Sequence, residues 1–208
     1  MARKTAAEAE MTRRNILIAA SELFSRDGVN NTALENIAKE AGVTRGAIYW
    51  HFKDKFALLE TLLNEQKLPL ERSIPEGLDF ERAWQLLHRS LVETVSGEAS
   101  RKLSGIMVYQ SAPAIGTPTV HKCLTQTKSR FMRQVERLLA GAANSGELAQ
   151  NLDLDATGIL IQCCISGVLY ECLQKPGDHS GLISSAMESL FFLLKSPPLH
   201  LLKFSPPH

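Results

Sequence analysis

The chain has 208 residues, 44% of them hydrophobic and 22% charged. This composition excludes disordered, collagen-like and disulfide-stapled classes and fits one large or two small globular domains. With 23 Lys and Arg against 22 Asp and Glu, the net charge of +1 speaks against a polybasic, histone-like nucleic-acid binder, though not against a local asymmetry.

Apolar residues recur at three- and four-residue spacing almost throughout, and no stretch alternates long enough for a strand. The fold class is therefore all-α. Residues 12–27 place Ile16, Leu17, Ala20, Leu23 and Phe24 on one stripe, closed by Gly28. Thr32-Ala33-Leu34-Glu35 reads as a capping box opening a short helix with Leu34, Ile37, Ala38 and Ala41 on one side. Gly42 and Val43 turn the chain, and Thr44 caps a second short helix over Arg45 to His51. Asp54 caps the next, which carries Phe56, Leu59, Leu62 and Leu63 and stops before Pro69. Longer helices follow at about 78–96, 101–112, 118–144, 154–174 and 179–195, with Gly and Pro between them. The tail from Ser196, with Pro197, Pro198, Pro206 and Pro207, is expected to run extended.

Two capped helices joined by a Gly-containing turn over residues 32–52 have the dimensions of a helix-turn-helix. In the second, Ala47 and Ile48 face inward, while Arg45, Tyr49, Trp50 and His51 project outward. A helix that merely packed would gain little from exposing that set, whereas a DNA reader gains hydrogen bonds to base edges and phosphates. Gly46 leaves room for close approach to a groove, and Lys55 at the next helix start suits a phosphate. Residues 1–56 hold nine basic against seven acidic side chains, and residues 57–208 hold fourteen against fifteen. The charge asymmetry is mild, so any DNA contact must be local. Arg3, Lys4, Arg13 and Arg14 either reach flanking phosphates or form a solvated arm.

Thr12 to Leu59 resembles the DNA-binding domain of the tetracycline-repressor (TetR) family. The resemblance rests on Thr12, Arg13, Ile16, Leu17, Ala19, Ala20, Leu23, Phe24, Gly28, Val29 and Thr32. It continues through Ile37-Ala38, Ala41-Gly42-Val43, Gly46, Ile48-Tyr49, His51-Phe52 and Lys55. The run from Gly42 to Lys55 looks particularly like the AcrR-type branch of multidrug efflux pump repressors. Ala33 departs from the second hydroxyl that members often carry there. The resemblance implies an all-α homodimer, with a DNA-binding helix-turn-helix domain at 1–56 and a larger helical bundle for ligand binding and dimerisation at 57–208. Carried over residue by residue, Arg45 and Gly46 approach bases, while Thr32, Thr44, Tyr49, Trp50, His51 and Lys55 hold the backbone. Phe52 is assigned to the core.

In the C-terminal part, the helix at 154–174 is apolar nearly all round and the last helix adds Leu182, Ile183, Met187, Leu190, Phe191, Phe192 and Leu194. Two such helices in succession imply a partner chain, so the segments near 154–174 and 179–195 are expected to pair with their copies. Trp84, Met107, Gln110, Phe131 and Cys164 are expected to line an apolar effector pocket, and the segment from Gly105 to Pro118 is either a portal or a break. The expected partners are double-stranded operator DNA and a hydrophobic effector. Repression is the expected output; activation stays open.

Cys123, Cys163, Cys164 and Cys172 lack C-x-x-C spacing, so neither a metal nor another cofactor is expected. Redox sensing by these cysteines and control of a metabolic operon are the alternatives. His121-x-Cys123 reads as a surface His beside a buried Cys. No enzymatic fingerprint such as G-x-S-x-G or H-E-x-x-H occurs. The longest strongly apolar charge-free run, Ala156 to Tyr170, has 15 residues, short of the roughly 18–20 that span a bilayer. No apolar block follows Arg3 and Lys4, so no secretory signal is expected and the location is expected to be cytoplasmic.

Overall fold

A computed structural model describes residues 6–109, 118–175 and 177–203, apart from the side chains of 119, 120 and 123. Nine α-helices lie among the described residues: α1 (Ala6–Asp27), α2 (Leu34–Glu40), α3 (Arg45–His51), α4 (Lys55–Glu65), α5 (Phe80–Ser96), α6 (Glu98–Tyr109), α7 (Pro118–Asn144), α8 (Leu154–Gln174) and α9 (Ser180–Lys195). The all-α expectation stands, and α3 has the bounds read from sequence. The chain divides into two compact units, Met1–Lys67 with Lys102–Thr127, and Leu68–Arg101 with Lys128–His208. Position 56/57, where the sequence is parted, lies inside α4.

In the first unit, the α1 stripe of Ile16, Leu17, Ala20, Leu23 and Phe24 is buried. Gly28 ends the helix at φ +82°, with its N–H donating to the Phe24 carbonyl at 3.1 Å. Gly42 does the same for α2 at φ +66°, and the Val43 N–H donates back to the Ala38 carbonyl at 2.9 Å. That six-residue return is a glycine stop that a β-carbon would strain. It sets the bend between α2 and α3, whose inward residues Ile37, Ala38 and Ile48 are all buried. Arg13 pairs with Glu65, tying α1 to the end of α4, and Lys102 of α6 pairs with Glu22 of α1.

The predicted capping box is absent. The N-cap of α2 is Ala33, without a side-chain cap bond. Thr32 is buried, and its hydroxyl donates backward to the Gly28 carbonyl at 2.7 Å and toward the Leu23 carbonyl at 3.4 Å. Thr32 thus ties the loop to α1 instead of opening α2.

The second unit packs α5, α8, α9 and the end of α7 around Leu87, Leu91, Leu139, Ile161, Ile165, Met187 and Leu194. Trp84 donates its indole N–H to the Met187 carbonyl at 3.0 Å, which satisfies its polar atom inside this core. The predicted extended tail is also corrected. Residues Leu199–Leu201 form one 3-10 turn, Leu201 is buried, and Leu202 bridges to Leu152. Burying that leucine and pairing Lys203 N–H with the Asn151 carbonyl at 2.7 Å outweigh the extended preference of Pro197 and Pro198. Pro206 and Pro207 lie outside the described residues.

The α8 helix runs through Asp155 and Glu171 to 21 residues, with a mean hydropathy of 1.5 over its best window. By length and composition it is long and apolar enough to cross a membrane, which the charge-free run alone understates. Its Ile161, Ile165, Val168 and Cys172 are buried in the core.

Candidate nucleic-acid interface

Thr44 starts α3, its hydroxyl accepting from the Ala47 N–H at 3.2 Å. Ile48 is fully buried and Phe52, just past the helix, is 5% exposed, so the helix is held from one side. The opposite side carries Arg45, Gly46, Tyr49 and Trp50, all exposed, with Trp50 at 74%. His51 is half-buried and meets Trp50 edge to face at 4.5 Å. A β-carbon on Gly46 would meet only the Thr44 hydroxyl, at 3.9 Å. The fold itself does not require glycine there.

Arg45 is not a bare cation. Its guanidinium pairs with Glu35 of α2 at 2.9 Å, donates to the Tyr49 hydroxyl at 3.3 Å, and lies 5.5 Å from the Tyr49 ring centre. The Tyr49 hydrogen bond, followed by the Glu35 charge, raises its pKa further above the ordinary arginine value. Sequence reasoning missed Glu35 here, because it spends that carboxylate on the capping box. The ten-residue separation across a turn has no local periodic signal.

Lys55 is also placed differently from its expected role. Its ammonium donates to the Asn30 carbonyl at 2.6 Å and the Thr32 carbonyl at 3.2 Å, and burial pushes its pKa down. Together with Thr32 it clamps the loop before α2. The Asp54 carboxylate caps α4 as expected, accepting from Phe56 and Ala57 N–H at 2.9 and 2.8 Å. Arg13 is engaged by Glu65 and lies 5.7 Å from the Phe52 ring centre. Arg14 is exposed, while Arg3 and Lys4 lie outside the described residues.

The five expected effector residues do not converge on one visible cavity. Trp84, Phe131 and Cys164 belong to the core of the second unit, Trp84 buried and the others partly so. Met107 is half-buried on α6 in the first unit, and Gln110 lies outside the described residues; of the Gly105 to Pro118 segment, read as a portal or a break, 105–109 belong to α6, Pro118 opens α7 and 110–117 lie outside the described residues. A cavity of about 680 Å³ opens instead between the loop 73–79 and the α7 face of Gln134, Arg137, Leu138 and Gly141. None of the five lines it. Two buried hydroxyls, Ser104 in the first unit and Thr157 in the second, have no hydrogen-bond partner among the described residues. Neither is apparent from a sequence in which Ser and Thr are ordinary helix residues.

Cys163 is exposed, Cys164 half-buried and Cys172 buried. Burial raises the Cys164 and Cys172 pKa values, with the Cys163 neighbour adding at Cys164. Both thiols are thereby moved away from the reactive thiolate. His121, expected at the surface, is half-buried, its buried Nε2 without a partner among the described residues; the Cys123 side chain lies outside them. Among the described residues no group of three His, Cys, Asp or Glu could hold a metal ion.

Residues 16–62 match the family described as bacterial regulatory proteins, tetR family. Over 202 residues the chain is 39% identical to the HTH-type transcriptional regulator SrpR of Pseudomonas putida, covering 97% of this chain and 94% of that protein. Among solved structures it is similar to NalD, the secondary repressor of the MexAB-OprM multidrug efflux pump in Pseudomonas aeruginosa. That likeness has a TM-score of 0.76 at 28% identity and covers 91% of this chain and all of the other. A SmeT–triclosan complex gives a TM-score of 0.74 at 27% identity, covering 94% and 99%. With the helix-turn-helix geometry in place and a relative of this identity along nearly its whole length, the chain belongs to the TetR family of bacterial DNA-binding transcriptional regulators.

Proposed function

We propose that this chain is a ligand-responsive repressor that binds operator DNA as a homodimer and controls efflux pump genes. The observation that carries this reading is α3 itself. A seven-residue helix, capped by Thr44 and anchored by Ile48, holds Arg45, Tyr49 and Trp50 exposed on one face. Arg45 and Gly46 approach base edges, and Thr44, Tyr49, Trp50 and His51 hold the phosphate backbone. Lys55 and Thr32 serve this surface from behind, as the clamp that sets the α2 loop. Residues 1–56 are assigned to DNA reading and 57–208 to sensing and dimerisation, in the cytoplasm where the operator lies.

The dimer reading is supported by side chains that the second unit leaves uncovered. Ile159, Cys163, Ser166 and Tyr170 form one exposed stripe on α8, and Leu182, Ser185, Ser189 and Phe192 form another on α9. Large apolar groups set among small residues suit close packing of helix on helix. The effector reading is supported by SmeT's complex with triclosan, and by the α8 hydroxyl of Thr157, buried without a partner among the described residues. A buried hydroxyl without a partner is stabilised by a ligand that supplies one. Trp84, Met107, Gln110, Phe131 and Cys164 are the apolar and polar walls of this reading. The efflux assignment follows NalD, a repressor of such a pump.

The ligand would act by preferring the dimer state whose two α3 helices no longer match successive major grooves, roughly 34–36 Å apart. A coupling of typical size lowers operator affinity about 5- to 150-fold. Selection of bound duplexes from a random pool tests the reading. Two half-sites one helical turn apart, with binding weakened by hydrophobic compounds such as triclosan, are the expected result. Selection of no sequence, or of a lone half-site, would refute it.

A further inference from the structure

We infer that Glu35 is a positioning residue that sets DNA specificity by holding Arg45 until the correct base edge replaces it. The inference rests on α3 as the DNA-reading helix. Glu35 sits exposed in the first turn of α2, and its carboxylate meets the Arg45 guanidinium at 2.9 Å. The Tyr49 hydroxyl takes a second arginine N–H at 3.3 Å. The guanidinium therefore has partners before any DNA arrives, and both lie on the surface that faces it.

An exposed pair of this kind is weak and easily exchanged. A bidentate guanine contact is geometrically strong enough to replace it. A lone phosphate offers Arg45 little beyond what Glu35 already gives, and brings its own charge against the carboxylate. On random DNA the pair therefore persists and Arg45 adds little affinity. On the operator the pair opens. Glu35 thus suppresses non-specific binding more than specific binding, which matters for a chain of net charge +1 with few spare cations.

Wild type, Glu35→Gln, Arg45→Ala and the double variant are titrated across a salt series against two duplexes. One is the sequence the wild type selects from a random pool, the other a scrambled duplex of equal length. Glu35→Gln should tighten binding to the scrambled duplex about two- to fivefold. It should steepen that duplex's salt slope by roughly one, and lower the ratio of selected to scrambled affinity. In the Arg45→Ala background the same change should do nothing. Glu35→Asp, which keeps the charge but withdraws it by one methylene, should behave like Glu35→Gln and separates pairing from net charge. An unchanged ratio in Glu35→Gln, or an equal shift without Arg45, overturns the inference while leaving the function intact. Failure of the wild type to select any sequence overturns both.

Discussion

The exposed face of α3 and the exposed stripes of α8 and α9 both display large side chains to solvent, but among different neighbours. Around α3 the aromatic rings stand among an arginine, a histidine and a carboxylate, and Arg45 already pairs with Glu35 and the Tyr49 hydroxyl. On α8 and α9 the large groups stand among Ser and Cys, the small side chains of both stripes. The first surface suits exchange of polar partners, as contact with a wet polyanion demands. The second suits permanent removal from water, as contact with a copy of itself demands. Exposed hydrophobicity alone does not distinguish these uses. The neighbours do.

The largest effect should come from placing a charge on the second surface. Phe192, 68% exposed in the single chain, is predicted to tolerate Phe192→Asp in the folded monomer. In the paired state two unpaired carboxylates would be buried, at a cost of about 3–5 kcal/mol, more than a hundredfold in the dimer equilibrium. Sedimentation should show monomer at micromolar concentration, with operator binding lost in step. A dimer that survives would remove α9 from the interface.

On the first surface, Arg45→Ala should weaken binding to the selected operator about 5- to 150-fold and relax base preference at one position. Loss on random DNA should be much smaller. Equal losses on both would turn Arg45 into a phosphate contact. Gly46→Ala should give a smaller but more discriminating result. The fold has room for the methyl group, and alanine is the better helix former by up to about 1 kcal/mol. Thermal stability should hold or rise while operator affinity falls. A variant that binds normally would leave Gly46 without a role at the groove.

The two surfaces differ also in how well they can be read in advance. α3 was legible to the residue, because Thr44, Ile48 and the Gly42 turn are local signals acting over three or four positions. Lys55 and Thr32 were not. Lys55 reads as a phosphate contact and Thr32 as a cap, yet Lys55 donates to loop carbonyls 23 and 25 residues away and Thr32 to carbonyls behind it. Glu35 was misassigned for the same reason: a valid local motif lost to a long-range ion pair. On α8 the periodicity is nearly uniform, so sequence could give its length and burial but not which stripe stays open. That was settled by packing, with Ile161, Ile165 and Val168 inward and Ile159 and Tyr170 outward. At Trp84 the indole N–H goes to the Met187 carbonyl inside the core, a pairing that no spacing reveals.

The smallest expected effect concerns how α8 is held. Asp153 caps the helix, accepting from the Ala156 N–H at 3.1 Å, with Lys203 at 3.5 Å. The Ala156 hydrogen bond first, and the Lys203 charge after it, hold its carboxyl below the usual carboxylate range. The folded chain therefore binds this proton less readily than the unfolded one. Its contribution is fully present above the ordinary aspartate value and disappears as pH falls through the depressed folded value. Asp153→Asn keeps an acceptor for the cap but removes the charge. Its melting temperature should lie slightly below wild type at pH 7, and the gap should close as pH falls through the depressed folded value. Since the cap positions the start of α8 and not its exposed stripe, dimerisation should be unaffected. If the gap persists into acid, the charge is not what Asp153 contributes, and the cap acts through its geometry alone.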